Sequence, residues 1–162
     1  NKLNIVSNDI FQNIKLDLNY IKDIYLENLN LKQDLCLFEI TRLFLKNCKF
    51  TLSTNDFFEI IDLISLNNSF INSSETLSLR SYTTLILNNS RITSKENISI
   101  GNINSIIFDD TNEDPILDIS SYIEAKEIWI NNYIITNEKN NCSNSLSAHS
   151  SAHACKLCKG ER

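Results

Sequence analysis

The C-terminal part of the chain carries residues whose types and spacing suit a metal ion. His149, His153, Cys155 and Cys158 supply two imidazoles and two thiols within ten residues, and zinc in proteins prefers four ligands of these kinds. Their spacing matches no familiar zinc finger, and the small residues around them offer no evident outer layer of hydrogen bonds. The segment therefore predicts either a zinc site or a polar tail without metal.

A group of carboxylates is the second place where chemistry could occur. Asp109, Asp110, Glu113 and Asp114 lie close together in the sequence, and paired carboxylates can serve as general acid and base or hold calcium. A cleft for such work needs long loops and a basic residue, whereas the turns here are short and only four arginines occur. The pattern favours a non-catalytic protein, with catalysis as the alternative.

Composition limits the class of protein. The 162 residues are 42% hydrophobic and 22% charged, with a net charge of −5, which argues against disorder and against general binding of nucleic acid. No apolar run is long enough for a membrane-spanning helix. The five cysteines cannot all pair within one chain, which favours a reducing, intracellular compartment. The chain begins at Asn1 and contains no Met, so we expect a processed form or a fragment.

A repeat of about 21 residues organises the chain. Its anchor positions are 19, 21, 21, 21 and 22 residues apart, and they are Ile24, Leu43, Ile64, Leu85, Ile106 and Ile128. A second apolar position or pair precedes each anchor, and these are Leu16/Leu18, Leu35/Leu37, Phe58, Leu77/Leu79, Ile98/Ile100 and Leu117/Ile119. Alternation with period two is typical of strands, because alternate side chains face the same side. Short strands repeating without a helical period predict a parallel β-solenoid of about six turns.

The position four residues after each anchor, which is two after the second apolar residue of its strand, is always Asn or Asp. The column is Asn28, Asn47, Asn68, Asn89, Asp110 and Asn132. Both residue types tolerate left-handed backbone conformation, so they can turn a corner where glycine would otherwise be needed. The chain has 24 Asn but only 2 Gly. Stacked side-chain amides can also bond from turn to turn, which predicts a structural Asn ladder.

The segment from Leu43 to Phe50, Leu-Phe-Leu-Lys-Asn-Cys-Lys-Phe, resembles the strand–Asn turn–strand corner of right-handed parallel β-helices of the pectate-lyase-like fold. It is also similar to the leucine-rich repeat, in whose register Cys48, Ser69, Ser90 and Thr111 occupy the hydrogen-bonding position. The first resemblance implies a right-handed all-β solenoid and, in many members, cleavage of acidic polysaccharides. The second also implies a right-handed parallel solenoid, and neither set of motifs is specific to an activity.

The chain divides into three parts. Residues 1–15 are predicted to form an N-terminal cap, residues 16–136 the solenoid, and residues 137–162 a polar C-terminal tail that packs back on the solenoid or binds metal. A cap is expected because the open end of a sheet invites further strand pairing.

Each anchor and the apolar residue two positions after it form one short strand, which we call the anchor strand. The residue between these two apolar residues is expected to point outward. This column is Tyr25, Phe44, Ser65, Ile86, Ile107 and Trp129. Five of the six are large and apolar on a side that should face water, and such a patch usually marks an interface. Intramolecular cover and β-propensity are the alternative explanations. We therefore predict a structural or interaction module that presents these five residues to a protein partner or to itself, with no cofactor other than possible zinc. The alternative is a protein that binds or cleaves polysaccharide.

Overall fold

The fold follows from alternation of apolar and polar side chains along short strands. The computed structural model describes residues 1–7, 18–32, 35, 37–53, 56–81, 84–101, 103–109, 121–130, 133–136 and 145–147. Within these ranges all regular structure is β-strand. The strands are β1 Lys2–Val6, β2 Asp23–Glu27, β3 Asn30–Lys32, β4 Leu37–Lys46, β5 Lys49–Leu52, β6 Asp56–Asn67, β7 Phe70–Ser73, β8 Leu77–Ser81, β9 Thr84–Asn88, β10 Arg91–Ser94, β11 Asn97–Gly101, β12 Ser105–Phe108, β13 Tyr122–Glu124, β14 Glu127–Ile130, β15 Tyr133–Thr136 and β16 Ser145–Ser147.

Successive anchor strands stack in parallel and in register within a ten-stranded sheet. Its order is β1-β2-β4-β6-β8-β11-β14-β15, and β9 joins it by pairing with β6 and with β12. The pairing places Ile24 beside Leu43, Leu43 beside Ile64, Ile64 beside Leu85 and Leu85 beside Ile106. These are the anchors of the sequence repeat, so one repeat corresponds to one turn.

A six-stranded sheet forms another side of each turn, in the order β16-β13-β10-β7-β5-β3. Phe50 pairs with Ile71, Ile71 with Ile92 and Ile92 with Ile123. All four side chains are fully buried. The core is therefore a set of stacked apolar columns between the sheets, and each buried Leu, Ile or Phe contributes on the order of 1.5–3 kcal/mol.

The corner between the two sheets is made by the Asn ladder. Asn28, Asn47, Asn68 and Asn89 have φ between 47° and 58°, the left-handed conformation that Asn adopts more readily than other residues with a side chain. The Nδ2 of Asn47 donates to Oδ1 of Asn28 at 3.1 Å. Asp110 and Asn132 lie outside the described residues.

A second ladder of hydrogen bonds, which we call the serine ladder, lies one residue further along the chain and is buried. The backbone N–H of Cys48 donates to Oγ of Ser69, that of Ser69 to Oγ of Ser90, and that of Ser90 to Oγ of Ser121, at 2.9–3.0 Å. The hydroxyls of Ser69 and Ser90 in turn donate to the carbonyls of Asn67 and Asn88 at 2.8 and 2.7 Å. In this way the corner satisfies polar groups that water cannot reach.

The repeat changes after β12. The sequence predicts that Ile128 stacks on Ile106, but β14 pairs with β11, so that Ile128 lies beside Ile98 and Ile130 beside Ile100. β13 likewise pairs with β10. The positions predicted for Leu117 and Ile119 are thus taken by Ile128 and Ile130, and the prediction of a sixth anchor at Ile128 is wrong.

The predicted parallel β-solenoid is confirmed, with about four turns rather than six. β1, in the predicted cap, pairs in parallel with β2. β15 and β16 pair antiparallel with β14 and β13 at the other end. Within the described residues, no helix has the length and hydrophobicity required to cross a membrane. The right-handed winding stays a prediction.

Candidate functional site

The outward column of the anchor strands forms a continuous line across five strands. Register places Tyr25 beside Phe44, Phe44 beside Ser65, Ser65 beside Ile86 and Ile86 beside Ile107. We call these five residues the apolar stripe. At the usual spacing between strands it is about 19 Å long. Ile107 is 44% exposed and the other four side chains are half-buried.

Two aromatic rings stack at the N-terminal end of the apolar stripe. The rings of Tyr25 and Phe44 are nearly parallel, with centroids 4.3 Å apart and an angle of 5° between planes. The Nζ of Lys2 lies 4.3 Å from the centroid of the Tyr25 ring, close enough for a cation–π interaction. An aromatic pair of this kind contributes about 0.5–1.5 kcal/mol beyond its buried area.

Ser65 interrupts the apolar stripe, but its own strand supplies an apolar neighbour. Leu63 lies two residues earlier on β6 and therefore faces the same side of the sheet. It is half-buried and pairs with Arg42 and Thr84. The apolar surface is consequently continuous around Ser65. The sequence signal for Leu63 was weak, because its column is otherwise polar.

At its N-terminal end, the apolar stripe has an ion pair on each side. Nε and Nη2 of Arg42 donate to Oδ1 and Oδ2 of Asp23 at 2.8 and 2.7 Å, and the hydrogen bonds from Arg42 hold the pKa of Asp23 below its ordinary value. On the other side, Nζ of Lys46 lies 2.9 Å from Oε1 of Glu27. An apolar centre with a polar border is the usual anatomy of a protein interface.

Trp129 does not extend the apolar stripe. It lies on β14, where it pairs with Ser99 of β11 rather than with Ile107. Its indole Nε1 donates to Oε2 of Glu127 at 3.2 Å, and the side chain is 37% exposed. Its placement in the column of Ile107 is therefore wrong, because the same apolar-x-apolar pattern occurs in both the anchor strands and the strands that precede them.

The outer face of the six-stranded sheet has a different character. The guanidinium of Arg91 lies between the rings of Phe70 and Tyr122, at 5.5 and 5.1 Å from their centroids. Beside it is a surface depression of about 320 Å³ lined by Asn72, Thr93, Ser94, Lys95, Glu124, Ala125 and Lys126. Among these lining residues Glu124 is the one carboxylate, so they hold no pair of carboxylates.

Two further aromatic residues contact each other near the irregular pairing of β4 with β6 between Leu37 and Ile40. Tyr20, in the turn before β2, is 66% exposed and Phe38 of β4 is 38% exposed, and their rings meet edge to face at 5.8 Å. The sequence analysis missed both, because neither occupies a position that recurs in the repeat.

Most of the carboxylates weighed for the catalytic alternative, and all four predicted metal ligands, lie outside the described residues. Asp109 is exposed and directly follows β12, whereas Asp110, Glu113 and Asp114 are not described. His149, His153, Cys155 and Cys158 also lie outside, so zinc in the tail stays a prediction. Among the described residues, no three His, Cys, Asp or Glu side chains are placed to share a metal ion.

Cys48 has a structural environment. Its side chain is 1% exposed, and Sγ lies 3.3 Å from the carbonyl oxygens of Leu26 and Lys46. Burial raises the pKa of the Cys48 thiol above its ordinary value, so the reactive thiolate is disfavoured. Cys48 is therefore a buried structural member of the serine ladder, in which its N–H donates to Ser69.

Among the described residues, the most continuous surface feature is the apolar stripe on the outward face of the anchor strands. Comparison of the chain with protein families, with curated proteins and with solved structures finds no match in any of the three.

Proposed function

We propose that the chain is a non-catalytic solenoid module that binds another protein surface through the apolar stripe. The observation that carries this proposal is continuity: large apolar side chains lie on four of five stacked strands, and Leu63 adjoins the one gap. The centre of such a strip carries no charge, and the ion pairs at its border can stay in the solvated rim of an interface, where they need not be desolvated.

The flatness of the sheet also supports a protein as the partner. Small ligands are usually enclosed by a concave pocket, whereas an outward sheet face has no walls. A second sheet can pack on such a face at about 10 Å. A broad surface with β-structure or an apolar helix face is therefore the class of partner that fits.

The test compares two double variants with the same change in charge. Phe44→Asp with Ile107→Asp alters the apolar stripe, and Thr51→Asp with Ser78→Asp alters half-buried outward positions on β5 and β8. Proteins retained from a cell extract by the wild type and by the control pair should be lost with the stripe pair. Mass spectrometry of the retained proteins measures this.

Folding of the same variants is the necessary second measurement. Because Ile107 is 44% exposed and Phe44 is half-buried, we expect both pairs to keep the β-type circular dichroism spectrum. Loss of the Tyr25–Phe44 stack should lower stability by about 1 kcal/mol. If only the stripe pair unfolds, the stripe is part of the chain's own core and the proposed function is wrong.

A further inference from the structure

We propose that the apolar stripe binds a second copy of this chain, with the two stacks of turns running in opposite directions. This inference rests on the proposed function and names its partner. The two-fold axis would run parallel to the strands at the level of Ser65. Each copy would then contribute the same face to a self-complementary interface.

The order of side chains along the apolar stripe is symmetric in size. Two large residues precede Ser65, and two large residues follow it. A two-fold axis at Ser65 therefore places Phe44 of one copy opposite Ile86 of the other, and Tyr25 opposite Ile107. Leu63 meets its own counterpart at the axis, beside the two small Ser65 side chains.

Charge also favours a second copy on this face. The chain carries a net charge of −5, so two copies repel each other over most of their surfaces. At the outward positions that flank the apolar stripe, and at Lys2 of β1, three positive and three negative side chains cancel: Lys2, Arg42, Lys46, Asp23, Glu27 and Asp109. Asp62, exposed beside Leu63 on β6, adds one negative charge, so this face carries only a small part of the chain's net charge. A second copy can therefore approach here with little net repulsion.

The same charges select the direction of the stacks. If both stacks ran in the same direction, with the axis along the stripe, Arg42 would face Lys46 of the second copy and Asp23 would face Glu27. Like charges opposite each other are unfavourable. With opposed stacks, Arg42 faces Thr84, and the remaining like-charged approach, Asp109 to Glu27, is offset by Lys46 in its ion pair with Glu27.

The area of the face sets the strength of association. Five strands and three outward residues per strand cover roughly 24 Å by 17 Å, or about 400 Å² per copy, half of a standard interface. We therefore expect a weak dimer in rapid exchange, with a dissociation constant in the micromolar to millimolar range.

The experiment is sedimentation equilibrium of the full chain at concentrations up to about 1 mM, where so small an interface is populated. The wild type should show a monomer–dimer equilibrium. Phe44→Lys and Ile86→Asp, each alone, should raise the dissociation constant at least ~tenfold, because each buries an unpaired charge against an apolar residue. Thr51→Asp, on another face, is the control and should leave it unchanged.

The double variant Phe44→Lys with Ile86→Asp tests the direction. With opposed stacks, the lysine introduced in one copy faces the aspartate introduced in the other, so association should recover by at least ~tenfold over either single variant. With stacks in the same direction, lysine would face lysine and aspartate would face aspartate. Failure of the double variant to recover therefore overturns the proposed arrangement.

Other outcomes separate this inference from the proposed function. A wild type that stays monomeric throughout, or dimerises equally well with each stripe variant, overturns the second-copy inference and leaves a different protein as the partner. Circular dichroism accompanies every variant. If Ile86→Asp unfolds, Ile107→Ser replaces it, and unfolding of that milder variant as well would contradict both proposals, because the stripe would then be core.

Discussion

Two ladders turn the same corner of the solenoid, and adjacent residues in the chain belong to different ones. Asn68 is exposed, with φ of 47°. Ser69 is fully buried, and its Oγ both accepts from the N–H of Cys48 and donates to the carbonyl of Asn67. The Asn ladder therefore serves the backbone conformation, whereas the serine ladder satisfies buried polar groups.

The difference shows how burial decides what a repeated residue contributes. An exposed amide can exchange its protein partner for water, so a hydrogen bond there adds little net stability. A buried N–H that loses its acceptor has no such substitute and retains the full cost of desolvation. The ladder that is more obvious in the sequence should therefore be the less important one for stability.

Removing a buried ladder hydroxyl should have the largest effect. Ser69→Ala leaves the N–H of Cys48 without its acceptor, and we expect a loss of about 1–3 kcal/mol in the free energy of unfolding. Urea denaturation followed by circular dichroism measures it. If Ser69→Ala is as stable as the wild type, the buried ladder does not stabilise the corner more than the exposed Asn ladder does.

The matched control for that variant is Cys48→Ser. Cys48 occupies the same ladder position one turn earlier, and Sγ already lies 3.3 Å from the carbonyl of Lys46. A serine hydroxyl can donate to that carbonyl as Ser69 does to Asn67, so stability should change by less than about 1 kcal/mol. A large loss would show that side-chain volume, rather than hydrogen bonding, determines this position.

The sequence predicts the regular part of the solenoid but not the change of pairing near its C-terminal end. The spacing of Leu43, Ile64 and Leu85 predicted the stacked register, because period-two strands repeated every 21 residues leave few other arrangements. The Asn corners followed from the constant residue type. The shift of Ile128 could not be predicted, since Ile-x-Ile fits both strand positions of a turn equally well and pairing depends on contacts far apart in sequence.

The candidate face was predicted in part for a similar reason. Tyr25 and Phe44 fall on adjacent turns of regular spacing, so their neighbourhood follows from the repeat. The position of Tyr122 beside Arg91 does not follow from the repeat, because the two residues are 31 apart in the sequence, whereas the repeat is about 21 residues long. The buried ladder was likewise predicted in part: the register of the leucine-rich repeat indicated Cys48, Ser69 and Ser90, but the ladder continues to Ser121 and not to the indicated Thr111.

An intermediate effect is expected for the exposed ladder. Asn68→Ala keeps a Cβ at φ of 47° without the local hydrogen bonding that lets Asn adopt this conformation, and it should lose about 1 kcal/mol. Asn68→Gly should be within about 0.5 kcal/mol of the wild type, because glycine adopts the conformation freely. Urea midpoints of the two variants test this. Equal losses would mean that the amide contacts, rather than the backbone, stabilise the corner.

The smallest effect should come from a charged link between turns, and it depends on pH. The hydrogen bonds from Arg42 lower the pKa of Asp23 below its ordinary value of 3.8, so the folded state holds the ionised carboxylate more strongly than the unfolded state does. The stabilisation is therefore fully present above pH 3.8 and is lost as the pH falls through the lower pKa of the folded protein. Since the Arg42 side chain is 39% exposed, solvent screens much of it.

Arg42→Met tests that sign. The difference in urea midpoint between wild type and variant should be greatest at neutral pH and should shrink as the pH is lowered below 3.8, because a protonated Asp23 carries no charge for the guanidinium to stabilise. Lys49→Met, an exposed lysine on β5, is the control and should show no such convergence. A difference that stays constant down to acid pH would mean that Arg42 stabilises the turn through packing of its side-chain methylenes, and the ion pair would then belong with the exposed links that contribute little.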